Sequence, residues 1–276
     1  MGGVGNQLFQ IAAAYAVSRE LNTDLKFIKN QFSGCRQGSH PATYYTTLYE
    51  KLNFVDSLPD AFVLNEKEWT YNPIVEYAKI VFNIAPVVKL SGYFQSELYF
   101  KKYSREVKDL FTPSIGFKAY LKTYTDLFSK FPELENDNDY CFIGVRRGDY
   151  IKYAHVHNPC GMTYYNAAME KLNKERYYIV SDDIAWCKEN FKGDRFRFIE
   201  LSSDTDELFA TTLFKNYIIS NSSFQWWGSF LSVYDAVDVR IVAPDKWIFG
   251  SDAPTKNYWS IYRDVMTVIE RPVETN

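Results

Sequence analysis

Leu8, Ile11, Ala12, Tyr15 and Ala16 recur at i, i+3, i+4, i+7 and i+8, a spacing that predicts a helix with an apolar face ending near Leu21. A short strand is expected at Leu25 to Ile28. Residues 30–85 show no clear period beyond a helical piece near Tyr44 to Phe54. "VVKLSGYF", residues 87–94, has strand character, and helical segments are expected after it at about Ser96 to Phe111 and Ser114 to Phe131. The polar, acidic run "PELENDNDY", residues 132–140, separates apolar periodic stretches. It reads as a link between a domain of residues 1–132 and one of residues 140–276.

Beyond that run the pattern becomes regular. Strands are expected at Tyr140 to Val145, Tyr177 to Val180, Arg195 to Ile199, Tyr217 to Ser220 and Val239 to Val242. Helices are expected near Tyr164 to Asn173, Ile184 to Phe191, Asp206 to Leu213 and Phe224 to Tyr234. Such alternation implies an α/β fold with a parallel sheet and helices on both faces. Ligands of these sheets bind at the carboxyl ends of the strands. That rule selects "GVRRGDY", "SDD" and "SNSSFQWWG", each of which follows an expected strand.

Charge and composition narrow the partners. The 276 residues carry 31 Lys plus Arg against 34 Asp plus Glu, and a net charge of -3 gives no general reason to expect a nucleic-acid or anionic-membrane partner. Cys35, Cys141, Cys160 and Cys187 form no CxxC pair, so neither a zinc site nor a disulfide framework is expected. With no membrane span and no signal-peptide layout in view, a cytoplasmic protein is the expectation. The 22 Tyr and 21 Phe read first as core packing, with a sugar-binding groove the lesser alternative.

Four places carry candidate chemistry. Gly3-Val4-Gly5-Asn6-Gln7 opens a helix, and its free N–H groups suit a phosphate or a pyranose; a plain N-cap explains the same residues. Arg146 and Arg147 follow an apolar strand, an expensive place for two guanidiniums unless an anion such as a diphosphate meets one of them. Alternation along the strand lets one arginine reach the ligand while the other braces the loop, and an Arg147–Asp149 salt bridge is the bland alternative. Ser181-Asp182-Asp183 reads as a helix cap or as a divalent-metal site. Ser222 and Ser223 stand at the mouth of a helix, again suited to an anion, with the Trp226-Trp227 pair read as core.

"GGVGNQLFQIAAAYA", "LSGYFQSELYF", "VRRGDY", "YYIVSDDIAWCKENF", "IISNSSFQWWGSFL" and "VAPDKW", taken in order from Gly2 to about Trp247, resemble the α-1,2-fucosyltransferases of glycosyltransferase family 11. The resemblance implies two Rossmann-like domains facing a cleft, the GT-B type of glycosyltransferase fold. It implies GDP-fucose as donor, no metal or other cofactor, inversion at the fucose anomeric carbon, and transfer to the 2-hydroxyl of a terminal galactose on a glycan acceptor. By motif, Arg146 takes the place of the arginine on the donor pyrophosphate, with Arg147 its companion. Gly3, Gly5, Asn6 and Gln7 resemble the segment that closes over phosphates and fucose, Ser222 and Ser223 the phosphate contacts, and Asp206 an acid that receives guanine N–H groups.

Two departures stand out. The family has a His two residues before the first arginine, where this chain has Gly144; His155 and His157 are the substitutes considered for its nucleotide contact. The family also carries a strand before the glycine loop, so the first sheet is expected to lack one, or the chain to be shortened. The expected reaction is direct displacement at the anomeric carbon, with Arg146 stabilising the leaving diphosphate by ~3 kcal/mol. Asp149, beside the arginines, is nominated as the base. The rivals are a fucosyltransferase of another linkage, a transferase using another GDP-sugar, and a non-catalytic GDP- or sugar-binding protein of the same fold.

Overall fold

The computed structural model describes residues 2–29, 41–67, 71–85, 87–136, 139–249 and 258–270. The chain forms two compact units: Met1–Pro113 with Lys256–Arg263, and Ser114–Thr255 with Asp264–Asn276.

In the first unit the glycine-led helix α1 (Val4–Leu21) starts at Gly3 and ends on Asn22 in the left-handed region, φ 49°. Leu8, Phe9, Ile11, Ala12, Ala13, Ala16 and Val17 are all buried, more than a single apolar stripe, so α1 is a core helix and not a surface one. Strand β1 (Phe27–Ile28) pairs in parallel with β2 (Phe54–Val55). Strand β3 (Phe62–Asn65) leads through helix α2 (Ile74–Phe82) to β4 (Val88–Ser91), its parallel partner, with Phe62 opposite Val88. Helix α3 (Ser104–Phe111) follows two 3-10 turns, Glu97–Tyr99 and Lys101–Tyr103, where one continuous helix was expected.

The described residues of this unit thus hold two parallel pairs, whereas a single Rossmann-like sheet was expected. Pairs of two and four residues are marginal alone, so they depend on what covers them. A cavity of about 660 Å³ lies beside α1, β1 and β4, lined by Ile11, Val17, Leu21, Phe27, Val88 and Leu90 among others.

The second unit begins with helices α4 (Phe117–Tyr124) and α5 (Leu127–Lys130), separated at Thr125 and Asp126 where one helix was expected. Strand β5 (Cys141–Val145) is followed by the short helices α6 (Gly148–Lys152) and α7 (Ala154–His157), which the sequence pattern did not predict, and then by α8 (Met162–Leu172). The alternation then continues through β6 (Tyr177–Ser181), α9 (Ile184–Asn190), β7 (Phe196–Phe198) and α10 (Asp204–Thr211). Strand β8 (Asn216–Ile218), helix α11 (Ser223–Phe230), β9 (Arg240–Pro244) and the unpredicted β10 (Met266–Ile269) complete it.

All six strands are parallel, in the order β10-β9-β8-β5-β6-β7. Numbered from β5, that is the dinucleotide-binding order, and it reverses direction between β5 and β8. Strand β5 is buried on both faces. Cys141, Ile143 and Val145 pack with Tyr165, Cys187 and Ile218, while Phe142 packs with Phe214 and Tyr217 on the other side. Trp226 and Trp227 are fully buried, with ring centres 5.2 Å apart, as core residues should be.

The division between units falls at Pro113 and Ser114, not in residues 132–140. Packing explains the difference. Phe117 and Tyr120 of α4 meet Phe209 of α10 at ring distances of 5.1 and 5.0 Å. Glu133 bonds Tyr178 Oη at 2.6 Å and Arg176 at 3.0 Å, so the acidic run is fastened to the second unit. Near the C-terminus the chain also returns to the first unit, where Ser96 Oγ donates to Ser260 O at 2.5 Å and Arg263 pairs with Glu97 at 3.4 Å. Among the described residues no helix is long and apolar enough to cross a membrane.

Phe117→Ala is expected to destabilise the second unit by about 3–5 kcal/mol, because its ring is buried against Phe209. Chemical denaturation read in that unit measures it, and a loss below about 1 kcal/mol would return α4 to the surface.

Candidate functional site

The reversal between β5 and β8 splits the connections from the two strands to opposite faces and leaves a crevice beyond their carboxyl ends. Arg146 stands immediately after β5, and Asn221 to Ser223 lead from β8 into α11. The two sides are tied together: Tyr150 Oη of α6 donates to Asn221 O at 3.0 Å. Asn221 Nδ2 in turn donates to His157 O at 2.7 Å and Trp247 O at 2.9 Å.

Arg146 is held between two carboxylates, with Nη2 2.5 Å from Asp149 Oδ1 and Nη1 2.8 Å from Asp182 Oδ2. Its guanidinium lies 5.2 Å from the centre of the Tyr150 ring, and its side chain remains 28% exposed. Arg147 turns elsewhere. It stacks 4.0 Å over the Trp186 ring, bonds Asp183 Oδ2 at 3.3 Å, and donates its backbone N–H to Asp182 Oδ1 at 2.8 Å. Alternation along the strand therefore separates the arginines as expected, with Arg147 the brace. The salt bridge foreseen for Arg147 and Asp149 is instead made by Arg146.

Asp183 caps α9 by accepting the Trp186 N–H at 3.2 Å, and Asp182 serves both arginines. Gly148 makes room for the Asp182 oxygen that pairs with Arg146, since a Cβ there would lie 2.5 Å from Asp182 Oδ2. Among the described residues no group of three or more His, Cys, Asp or Glu side chains is arranged to hold a metal.

Helix α11 presents its N-terminus to the same crevice. Its N-cap Ser222 is buried, but its side chain makes no capping bond. Ser222 Oγ has no hydrogen-bond partner among the described residues. Asp206, on α10, is buried and accepts Tyr120 Oη at 3.2 Å, while its N–H donates to the N-cap Ser203 Oγ at 3.1 Å. Burial, with the charge of Asp206, pushes the Tyr120 hydroxyl up to about 12. His157 stacks on Tyr150 at 4.0 Å, and burial lowers its pKa; His155 is exposed.

In the first unit the glycine loop is stiffer than its composition suggests. Gly3 is the N-cap of α1, and its carbonyl accepts the N–H groups of Asn6 and Gln7 at 3.0 and 3.1 Å. Gly5 is buried inside the first turn. Gly2 has φ +83°, and a Cβ on it would come within 2.2 Å of Asn6 Nδ2. Asn6 is thus no cap; its Oδ1 accepts Gln95 Nε2 at 2.6 Å. Gln7, expected among the donor contacts, is 1% exposed and has both ends of its amide engaged, Nε2 with Gly2 O and Oε1 with Tyr49 Oη. It braces the loop from behind.

Sequence reasoning missed Gln95 and Glu66. Glu66 accepts the N–H groups of Tyr93 at 2.7 Å and Phe94 at 3.0 Å, and burial raises its pKa. It thereby fixes the turn that delivers Gln95 to Asn6. The block "LSGYFQSELYF" was the available signal, though nothing in it names Glu66 as partner.

With this geometry in hand, the sequence matches the family described as Glycosyl transferase family 11 over residues 2–262. The chain belongs to glycosyltransferase family 11. It is 29% identical to an alpha-1,2-colitosyltransferase of Escherichia coli over 89% of this chain and 90% of that protein. It is 28% identical to the O-antigen biosynthesis glycosyltransferase WbnK of Escherichia coli, over 91% of this chain and 94% of that one. A putative galactoside 2-alpha-L-fucosyltransferase, svh-11 of Caenorhabditis elegans, is 24% identical over 90% of this chain and 64% of that protein. Among solved structures, NodZ alpha-1,6-fucosyltransferase soaked with GDP-fucose is similar at a TM-score of 0.49 and 11% identity, covering 86% of this chain and 94% of that one.

One titration in this glycosyltransferase is open to test. Burial, with Asp204, Glu200 and Asp206 nearby, pushes the Glu207 carboxyl up to about 7 from 4.5. The folded state therefore holds its proton more tightly than the unfolded one. Glu207 favours folding fully below about pH 4.5 and loses that contribution as pH rises through 7. Glu207→Gln is expected to be more stable than the parent by about 1–3 kcal/mol at pH 8, with the gain shrinking to a small remainder at pH 5. Urea denaturation at the two pH values measures it, and an equal effect at both would refute the shift.

Proposed function

We propose that this glycosyltransferase moves L-fucose from GDP-fucose to the 2-hydroxyl of a terminal galactose, with inversion. The observation that carries the reading is the convergence at the β5–β8 reversal of a half-buried guanidinium and the N-terminus of α11 with an unclaimed Ser222 hydroxyl. Both are donor-only or donor-capable groups at the place where a doubly wound sheet binds nucleotides. The names of the family relatives, a colitosyltransferase and a putative galactoside 2-fucosyltransferase, support a deoxyhexose as the sugar.

In the reaction the acceptor oxygen bonds to the anomeric carbon as the bond to the β-phosphate oxygen breaks. The electron pair leaves with GDP, and Arg146 neutralises the charge that develops there. The α11 N–H groups and Ser222 share that load, so the chain's own residues supply the positive field and no metal is required. Asp149 and Asp182 hold the guanidinium in place until the diphosphate takes it over. Asp149, once released, is positioned as the candidate acceptor for the hydroxyl proton. Asp206 is proposed to receive guanine N–H groups, and Asn6, with Gly3 and Gly5, to contact substrate from the glycine loop.

A second reading has its own support: the colitosyltransferase relative favours a donor carrying another deoxy sugar on the same nucleotide. Incubation with GDP-fucose, with other GDP-sugars and with galactose-terminated oligosaccharides, followed by mass spectrometry and linkage analysis, separates the two. Hydrolysis and transfer absent with every GDP-sugar would refute both.

Arg146→Ala and Arg146→Lys are each expected to lower turnover about 100-fold or more, since a lysine cannot present the planar fork. Near-normal rates in either variant would remove Arg146 from the mechanism. Activity is expected to survive EDTA; complete loss restored by manganese would reassign Asp182 and Asp183.

A further inference from the structure

Gln225 is the third residue after the N-cap Ser222, the position from which a glutamine reaches back to its cap in an S-x-x-Q box. Here it reaches further. Its Oε1 accepts the Ser220 N–H at 2.7 Å and Ser220 Oγ at 2.9 Å, which lays the carboxamide across the residues that leave β8. On its other side it covers β5: a Cβ at Gly144 would be 2.1 Å from Gln225 Cδ. The side chain therefore spans the strand reversal, and a residue without a Cβ at 144 is what admits it.

Chemistry fixes which way the amide faces. A backbone N–H only donates, so the atom facing Ser220 N is the oxygen, and the NH₂ end is turned away from it. Capping of the β8 end accounts for Oε1 and leaves Nε2 unexplained. Nε2 has no hydrogen-bond partner among the described residues. It is not one of the side-chain atoms sealed from solvent without a partner, so the little of Gln225 that stays exposed leaves this donor open to an acceptor from outside the chain. At the same reversal Ser222 Oγ is also unclaimed, and Arg146 stands two residues beyond Gly144.

We propose that Gln225 Nε2 donates a hydrogen bond to the nucleoside diphosphate of the sugar donor, at the floor of the crevice between β5 and β8. The inference deepens the GDP-sugar reading above and rests on it. Gly144 and Gln225 then act as one feature, in which the missing side chain on the strand gives the helix residue access to the nucleotide.

The test is calorimetric titration of GDP into the parent chain, Gln225→Glu and Gln225→Met, with the thermal midpoint of each protein measured free of nucleotide. The Glu variant keeps an oxygen for the Ser220 N–H and loses the donor; the Met variant keeps the length and loses both. GDP affinity is expected to fall about tenfold or more in both. The midpoint of the Glu variant is expected to stay near that of the parent, and its deficit to shrink toward pH 5 as the carboxyl gains a proton. The deficit of the Met variant stays constant. A parent that binds GDP with either variant within twofold of it overturns this inference alone. A parent that binds no GDP overturns the proposed function and this inference together.

Discussion

A guanidinium at the tip of a parallel strand is the constraint from which the second unit's site follows. Arg146 leaves β5 where the sheet reverses, and its partners, Asp149 and Asp182, come from the turn it opens and from the end of the neighbouring strand. All three side chains remain a quarter to a third exposed. Pairs at that exposure are worth about 0–1 kcal/mol each, so they hold the arginine in position without making its release expensive. A diphosphate offers the same fork-shaped acceptor with more charge. The resting pairs therefore act as placeholders, and the short helix α6 brings Asp149 and Tyr150 back onto Arg146, two residues before its first turn.

Glycine matters in this molecule mainly as clearance. At Gly148 it admits Asp182 to the arginine turn, and at Gly144 it admits Gln225 to the face of β5. In each case the atom that would collide belongs to a polar side chain held by further hydrogen bonds, so it has little freedom to give way. Substitution at either position would disturb the positioning of a charge or an amide rather than the packing of the core.

Much of the second unit was legible because β5, β6 and β8 are buried on both faces and read as unbroken apolar runs between helices of ordinary length. In the first unit α1, β1 and β4 were readable, but the rest was not, for a local reason: strands of two to four residues and 3-10 turns carry too few positions to establish a period. The domain boundary was misplaced because polarity marks exposure, and Glu133 is polar yet fastened to Tyr178 and Arg176. At the site, residue types and strand ends were readable, and so was the divergence of Arg146 and Arg147. What could not be read was pairing across the fold. Gln7 has the chemistry of a ligand contact and is taken by Tyr49, 42 residues away, whereas Gln225 looked like a helix residue and reaches across the reversal.

The two arginines show why such pairings decide function. Adjacent in sequence and identical in chemistry, they are separated by what the neighbouring helix α9 offers. Trp186 presents a ring face at 4.0 Å and Asp183 a carboxylate at 3.3 Å, and the two together hold Arg147 on that side with its side chain only 16% exposed. Stacking on an indole and pairing with an acid both favour a planar, permanently charged group, so a lysine would forfeit the first and weaken the second. With Arg147 committed, its backbone is fixed, and its N–H anchors Asp182 at 2.8 Å. Asp182 is the residue that steadies Arg146. The brace thus reaches the candidate catalytic arginine through one shared carboxylate, and the direction in which Arg146 points is set on the opposite face of the sheet.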